Sequence, residues 1–125
     1  MSPKICVIQF NVSDMDKAID FYTNVLGFEV KTKDYYPELV VLDHDGPTVL
    51  LCQVERNAEI DYPNEAQTLA NIQVSDLRKT MSELKDKGAS FIHDKPQLCP
   101  AGIYAAIRDP FGNVMELLEF GGAVE

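Results

Sequence analysis

Cysteine is scarce in this chain, and the three present, Cys6, Cys52 and Cys99, are far apart, odd in number and never in a C-x-x-C pair. That pattern excludes a disulfide framework and a zinc ribbon, and it predicts reduced thiols packed as small hydrophobes. Histidine is scarcer still: His44 and His93 are the only two, and both are expected at the surface near turns. No apolar run approaches the roughly 20 residues that span a bilayer, and the first residues lack the apolar stretch of a signal peptide. A cytoplasmic protein with no membrane partner is therefore expected. Positive charge is short as well, with 11 bases against 20 acids and a net charge of −9. Nucleic acid is disfavoured as a partner because phosphate contacts dominate such binding and would here be repelled, whereas a cationic ligand is compatible. Nucleophile elbow, phosphate loop and Rossmann glycine pattern are all missing.

What remains is an ordinary globular composition. At 125 residues, with 46% hydrophobic and 25% charged residues, the chain is long enough for one domain with its own core. Ile5 to Val12 alternates, with Cys6, Ile8, Phe10 and Val12 on one face and Val7, Gln9 and Asn11 on the other, which predicts a half-buried strand. Ser13 and Asp14 offer N-caps to a helical stripe of Met15, Ala18, Ile19, Tyr22, Val25 and Leu26, stopped by Gly27. Strands are expected over 28–33, 39–42 and 48–54. After a polar stretch containing Pro63 the pattern restarts: a strand over 69–74, caps at Ser75 and Asp76, a helix through Leu77, Thr80, Met81 and Leu84, a stop at Gly88, then strands over 89–93 and 103–108.

The two halves can be laid on each other. A shift of 62 residues brings Val12, Ser13, Asp14 and Lys17 onto Val74, Ser75, Asp76 and Lys79, and Asp43 to Gly46 matches Asp109 to Gly112 at a shift of 66. Two copies of a βαβββ unit explain this, since each is too small to bury its sheet alone. Asp14 and Asp76, which look like a pair of catalytic acids, sit where N-caps belong.

The stretch from Asp109 to Phe120 carries the chain's one misplaced charge. Asp109 to Asn113, with Pro110 and Gly112, predicts a reversal, and the strand that follows places Val114, Glu116, Leu118 and Phe120 on one face. Glu116 thus stands in an apolar row, where an unpaired carboxylate is costly.

Val12 to Phe28, together with Asp109 to Glu116, resembles the vicinal oxygen chelate superfamily, which includes glyoxalase I, extradiol dioxygenases and the fosfomycin- and bleomycin-resistance proteins. The resemblance covers essentially the whole chain. It implies an α+β fold in which two βαβββ modules form a curled mixed sheet around a cavity, usually in a homodimer. The expected layout is a single domain over 1–125, with module one about 1–56, a linker about 57–67 and module two about 68–121.

The resemblance also implies four metal-ligand positions on strands facing the cavity. In this chain they fall on Val7, Leu69, Leu50 or Leu51, and Glu116, and only the last can donate to a divalent metal. No metal, cofactor or catalytic residue is therefore expected. The strand alternation assigns Gln9, Asn11, Asn71, Gln73 and Glu116 to the cavity, an apolar floor with amide walls and one negative charge that suits a small-molecule ligand. Tyr35, Tyr36, Tyr62 and Tyr104 can supply aromatic contacts, with orientations left open. The leading expectation is a metal-free binder of a cationic drug or metabolite. A lyase or dioxygenase with a rearranged ligand set, using Glu116 with Gln9 or Gln53, and a plain dimerisation module are the alternatives.

Overall fold

The computed structural model describes residues 1–123. The chain forms two compact units, Met1–Ala58 and the residues from Glu59 onward. In the first, strand β1 (Val7–Val12) leads into helix α1 (Met15–Asp20), and β2 (Glu29–Thr32), β3 (Leu39–Asp43) and β4 (Thr48–Gln53) complete a sheet of order β1-β4-β3-β2. In the second, β5 (Ala70–Gln73) leads into α2 (Leu77–Asp86), followed by β6 (Ser90–Phe91), β7 (Gln97–Cys99), β8 (Gly102–Arg108) and β9 (Val114–Phe120). This sheet has the order β5-β9-β8-β6, with β7 also paired to β8. In both units the first strand runs parallel to the last, β1 with β4 and β5 with β9, and the other pairings are antiparallel. With β6 and β7, which pair with successive parts of β8, counted as one interrupted strand, each unit is a βαβββ module, so the α+β architecture expected from the repeat is the one formed. Among the described residues no helix is long and apolar enough to cross a membrane.

The helix starts repeat in atomic detail. The carboxylates of Asp14 and Asp76 accept the backbone N–H of Lys17 and Lys79, each at 3.1 Å, so both are N-caps. A second side chain, from the end of each module's last strand, takes the first helical N–H. Gln53 Oε1 accepts from Met15 at 3.1 Å, and Glu119 Oε1 accepts from Leu77 at 2.8 Å. Glu119 also brings negative charge to the positive end of the α2 dipole. The repeat breaks down in the last turn of the first helix, which widens into a π-helical segment, Phe21–Val25. There both Phe21 and Tyr22 are buried, where the 3.6-residue stripe predicts Tyr22 alone.

Pleating sorts each sheet into a helix-facing side and an open side. In the first unit Phe10, Val12, Val40, Leu42, Val49 and Leu51 are buried with Met15, Ala18 and Tyr22 of the helical segment. Register places Leu50 opposite Gln9 on the open side and Leu51 opposite Phe10 on the helix side. In the second unit Ile103, Ala105, Ile107, Met115 and Leu117 are buried with Leu77, Met81 and Leu84 of α2. Burial of this kind is worth roughly 1.5–3 kcal/mol per large side chain, which makes these two faces the main source of stability. The thiols depart from expectation: Cys6 is exposed, and Cys52 and Cys99 are only half-buried. Cys6 lies ahead of β1, outside the strand whose alternation was to bury it.

The turn into β9 is organised by one buried carboxylate. Asp109, 5% exposed, accepts the N–H of Phe111 at 2.9 Å, the N–H of Asn113 at 2.8 Å and the Asn113 side-chain amide at 2.7 Å. Its own N–H returns to the Asn113 carbonyl at 2.8 Å. Gly112 takes φ 89°, which only glycine adopts without strain, whereas Asn113 keeps a negative φ. Asp109→Ala leaves backbone donors without their acceptor and is expected to cost about 3 kcal/mol, against about 1 kcal/mol for the exposed cap variant Asp76→Ala. Urea unfolding of both variants checks the ranking, and equal losses would show that the turn carries no special weight.

Candidate functional site

Glu116 sits mid-strand on the open side of the second sheet. Its register neighbours are Asn71 on β5 and Ala106 on β8, and its side chain is half-buried. The carboxylate is paired: the Tyr62 hydroxyl donates to Glu116 Oε2 at 2.5 Å. A hydrogen bond to an ionised group is worth about 1.5–3 kcal/mol, enough to offset much of the desolvation that a carboxylate in an apolar row incurs.

His93 reaches this face because its strand is broken. Pairing along β8 stops after β6 and resumes at β7, and Pro96, which cannot donate, lies in the gap. Within the gap the Ile92 N–H still donates to the Ala106 carbonyl at 2.9 Å. The Ala106 N–H donates instead to His93 Nδ1 at 3.0 Å, so the imidazole stands in for a missing strand carbonyl. That bond occupies the Nδ1 lone pair and puts the ring proton on Nε2. The ring stands edge-on to Tyr62 and Tyr104, with centroids 5.6 and 5.5 Å away. His93 is thus half-buried in an aromatic cluster that includes Tyr62, the partner of Glu116, which corrects the surface position expected for it. His44 keeps an exposed turn, where Nε2 meets the Pro47 carbonyl at 2.5 Å and the ring lies edge-on to Phe28.

Burial pushes the Tyr62 phenol well above its usual range, and the hydrogen bond to Glu116, that carboxylate's negative charge and the nearby Tyr104 add to the effect. In the first unit a hydrogen bond to Asp16 raises Tyr36, and burial raises the Cys52 thiol.

The five residues expected to bind ligand all lie on open sides. Gln9 and Asn11 are exposed on β1 and bonded to each other, Gln9 Nε2 to Asn11 Oδ1, at 2.9 Å. Asn71 and Gln73 are exposed on β5; register puts Asn71 beside Glu116 and Gln73 beside Leu118, one pair further on. Gln53, by contrast, is committed to the α1 N-terminus and turned away from that side. What the sequence did not orient are Tyr62 and Tyr104, and it misplaced His93. Pro96 after a short apolar run was the available signal for the strand break.

Comparison with known proteins decides the family. The model of the Glyoxalase/Bleomycin resistance protein/Dioxygenase superfamily matches residues 4–117. The chain belongs to this superfamily. A relative within reach of sequence comparison is the uncharacterized protein YurT of Bacillus subtilis (strain 168), 29% identical over 127 residues, covering 93% of this chain and 98% of YurT. Among solved structures, TnmS3, an antibiotic binding protein from Streptomyces sp. CB03234, is 23% identical with a TM-score of 0.70, covering 95% of this chain and 97% of its own. FosX, a genomically encoded fosfomycin resistance protein from Listeria monocytogenes, is 16% identical with a TM-score of 0.77, covering 95% of this chain and 94% of its own. At those identities the two structures establish the shared superfamily fold.

The superfamily's metal does not fit the donors of this chain. Val7 and Leu50 lie on the open side of the first sheet, Leu69 stands just before β5, and none of them carries a lone pair for an ion. Glu116 has a phenol hydroxyl on it. Among the described residues no three of His, Cys, Asp and Glu gather closely enough to hold an ion.

The raised Tyr62 has a consequence for stability in alkali. Because the folded state holds this proton more tightly than the unfolded chain, the stabilisation is complete below the free phenol value of about 10 and is lost as pH rises through the folded value. Wild type should lose urea resistance above about pH 10 more steeply than Tyr62→Phe. Parallel curves for the two would show that the phenol does not keep its proton in the fold.

Proposed function

We propose that this superfamily member is a metal-free small-molecule-binding protein that takes up an organic cation, acting as a homodimer, with Glu116 as the charged anchor. The observation that carries the reading is a half-buried carboxylate on the open face, held by a phenol where a metal set would need further donors, with the register putting Arg108 on the same face one pair beyond Ala106. Asn71 and Gln73 supply neutral hydrogen-bonding groups on the same face, and Gln9 with Asn11 supplies a matching pair on the first module. A cation gains a charge-assisted bond at Glu116 and approaches a chain of net charge −9. The likeness to an antibiotic binding protein and a fosfomycin resistance protein supports an organic guest.

Thermal unfolding in the presence of a panel of ammonium, guanidinium and neutral compounds tests this. A cation present at 100 times its Kd adds about 2.7 kcal/mol to the stability, so the melting temperature should rise for cations with wild type and stay flat with Glu116→Leu. Glu116→Gln should bind about tenfold more weakly or worse, since it keeps an acceptor and loses the charge. If neutral compounds stabilise the protein as well as cations do, or Glu116→Leu responds like wild type, the reading is wrong. Sedimentation should report the mass of two chains, and a monomer would remove the dimer from the account.

A further inference from the structure

The donor on Glu116 belongs to a turn that is closed upon itself. The Asp61 N–H donates to Glu65 Oε1 at 2.6 Å and the Glu65 N–H returns to the Asp61 carbonyl at 2.7 Å. The Asn64 amide bonds Asp61 Oδ2 at 3.1 Å, and the Ala66 N–H bonds the Pro63 carbonyl at 3.2 Å. These bonds hold the turn's shape without help from the sheet. Tyr62 projects from it and ties it down, through the hydroxyl on Glu116 and the ring edge on His93.

Building on the reading of Glu116 as the ligand's anchor, we propose that the 61–66 turn is a latch: the Tyr62 hydroxyl holds the carboxylate in the ligand-free protein, and a ligand binds by displacing it. The turn then leaves the sheet as one piece, because the bonds that shape it are internal and none of them has to break. The exchange makes Tyr62 a specificity-determining residue. A phenol offers one neutral O–H, so a neutral alcohol or amide only replaces like with like at Oε2. A protonated amine brings a charge-assisted bond that the phenol cannot match, and it alone gains from the swap. On the β8 side nothing competes, since Ala106 has no polar side chain and its N–H is spent on His93, and on the β5 side Asn71 offers only another neutral amide donor. Any ligand that needs Glu116 binds more weakly by the fraction of molecules in which the latch is open.

Two measurements on the full chain test the latch. Hydrogen–deuterium exchange read over residues 59–67 should be about tenfold faster in Tyr62→Phe than in wild type, since one bond to a charged group is lost with no change of shape. Calorimetry with benzylamine, a cation at pH 7, and benzyl alcohol, its neutral counterpart, reads the competition. Benzylammonium should bind wild type better than benzyl alcohol does, should speed exchange in the turn, and should bind Tyr62→Phe about tenfold more tightly. Unchanged exchange in Tyr62→Phe overturns the latch whatever binds. Weaker binding of benzylammonium to Tyr62→Phe also overturns it, by making Tyr62 a wall of the site. Faster exchange with no benzylammonium bound to either protein supports the latch and counts against the cation reading of Glu116.

Discussion

Strand β9 carries two carboxylates, and the pleat sends them to opposite sides of the sheet. Glu119 turns toward α2 and accepts the N–H of Leu77, closing the helix start against the strand. Glu116 turns to the open side, where the Tyr62 hydroxyl meets it. Moving the strand by one residue would exchange these roles, leaving a carboxylate on the apolar helix side and the Leu77 N–H without its side-chain acceptor. Register is fixed upstream by the Asp109 turn, whose buried carboxylate gathers the backbone of Phe111 and Asn113 and aims the strand. The placement of Glu116 on the open side depends on that turn.

The parts of the fold that were legible in the sequence are the local ones. The N-caps Asp14 and Asp76, the stops at Gly27 and Gly88 and the alternation of β1 and β9 are set by groups within a few residues of one another, so a pattern of types and spacings reports them. The repeat multiplies that signal, because each feature is present twice. The second capping device was out of reach, since Gln53 and Glu119 bond residues 38 and 42 positions away. The same holds for the site. Glu116 announced itself as a charge in an apolar row, but its partner lies 54 residues earlier, in a segment read only as a polar linker. His93 was misplaced because its role depends on a break in the strand pairing, and periodicity averages over such breaks. Cys6 failed for a simpler reason: the strand begins one residue after it.

A superfamily known for metal chemistry here presents valine and leucine where ion ligands would stand, and the surviving carboxylate is bonded to a phenol. Those side chains change what the face can do. A divalent ion would dominate the local field and favour anionic oxygens, whereas a lone carboxylate beside amides and aromatic edges favours donors and positive charge. The acidic balance of the whole chain points the same way. Beside the carboxylate, the Tyr62 ring that bonds it stands edge-on to His93, and His93 edge-on to Tyr104.

On the proposal made here, Glu116 serves an organic partner and not an ion. Elemental mass spectrometry of untagged protein purified without chelators, beside Glu116→Ala, addresses it most directly. The account predicts nickel, zinc, iron and manganese far below one equivalent per chain in both proteins. Metal near one equivalent in wild type and lost in the variant would contradict it, and would make Glu116 the ligand of a metal site.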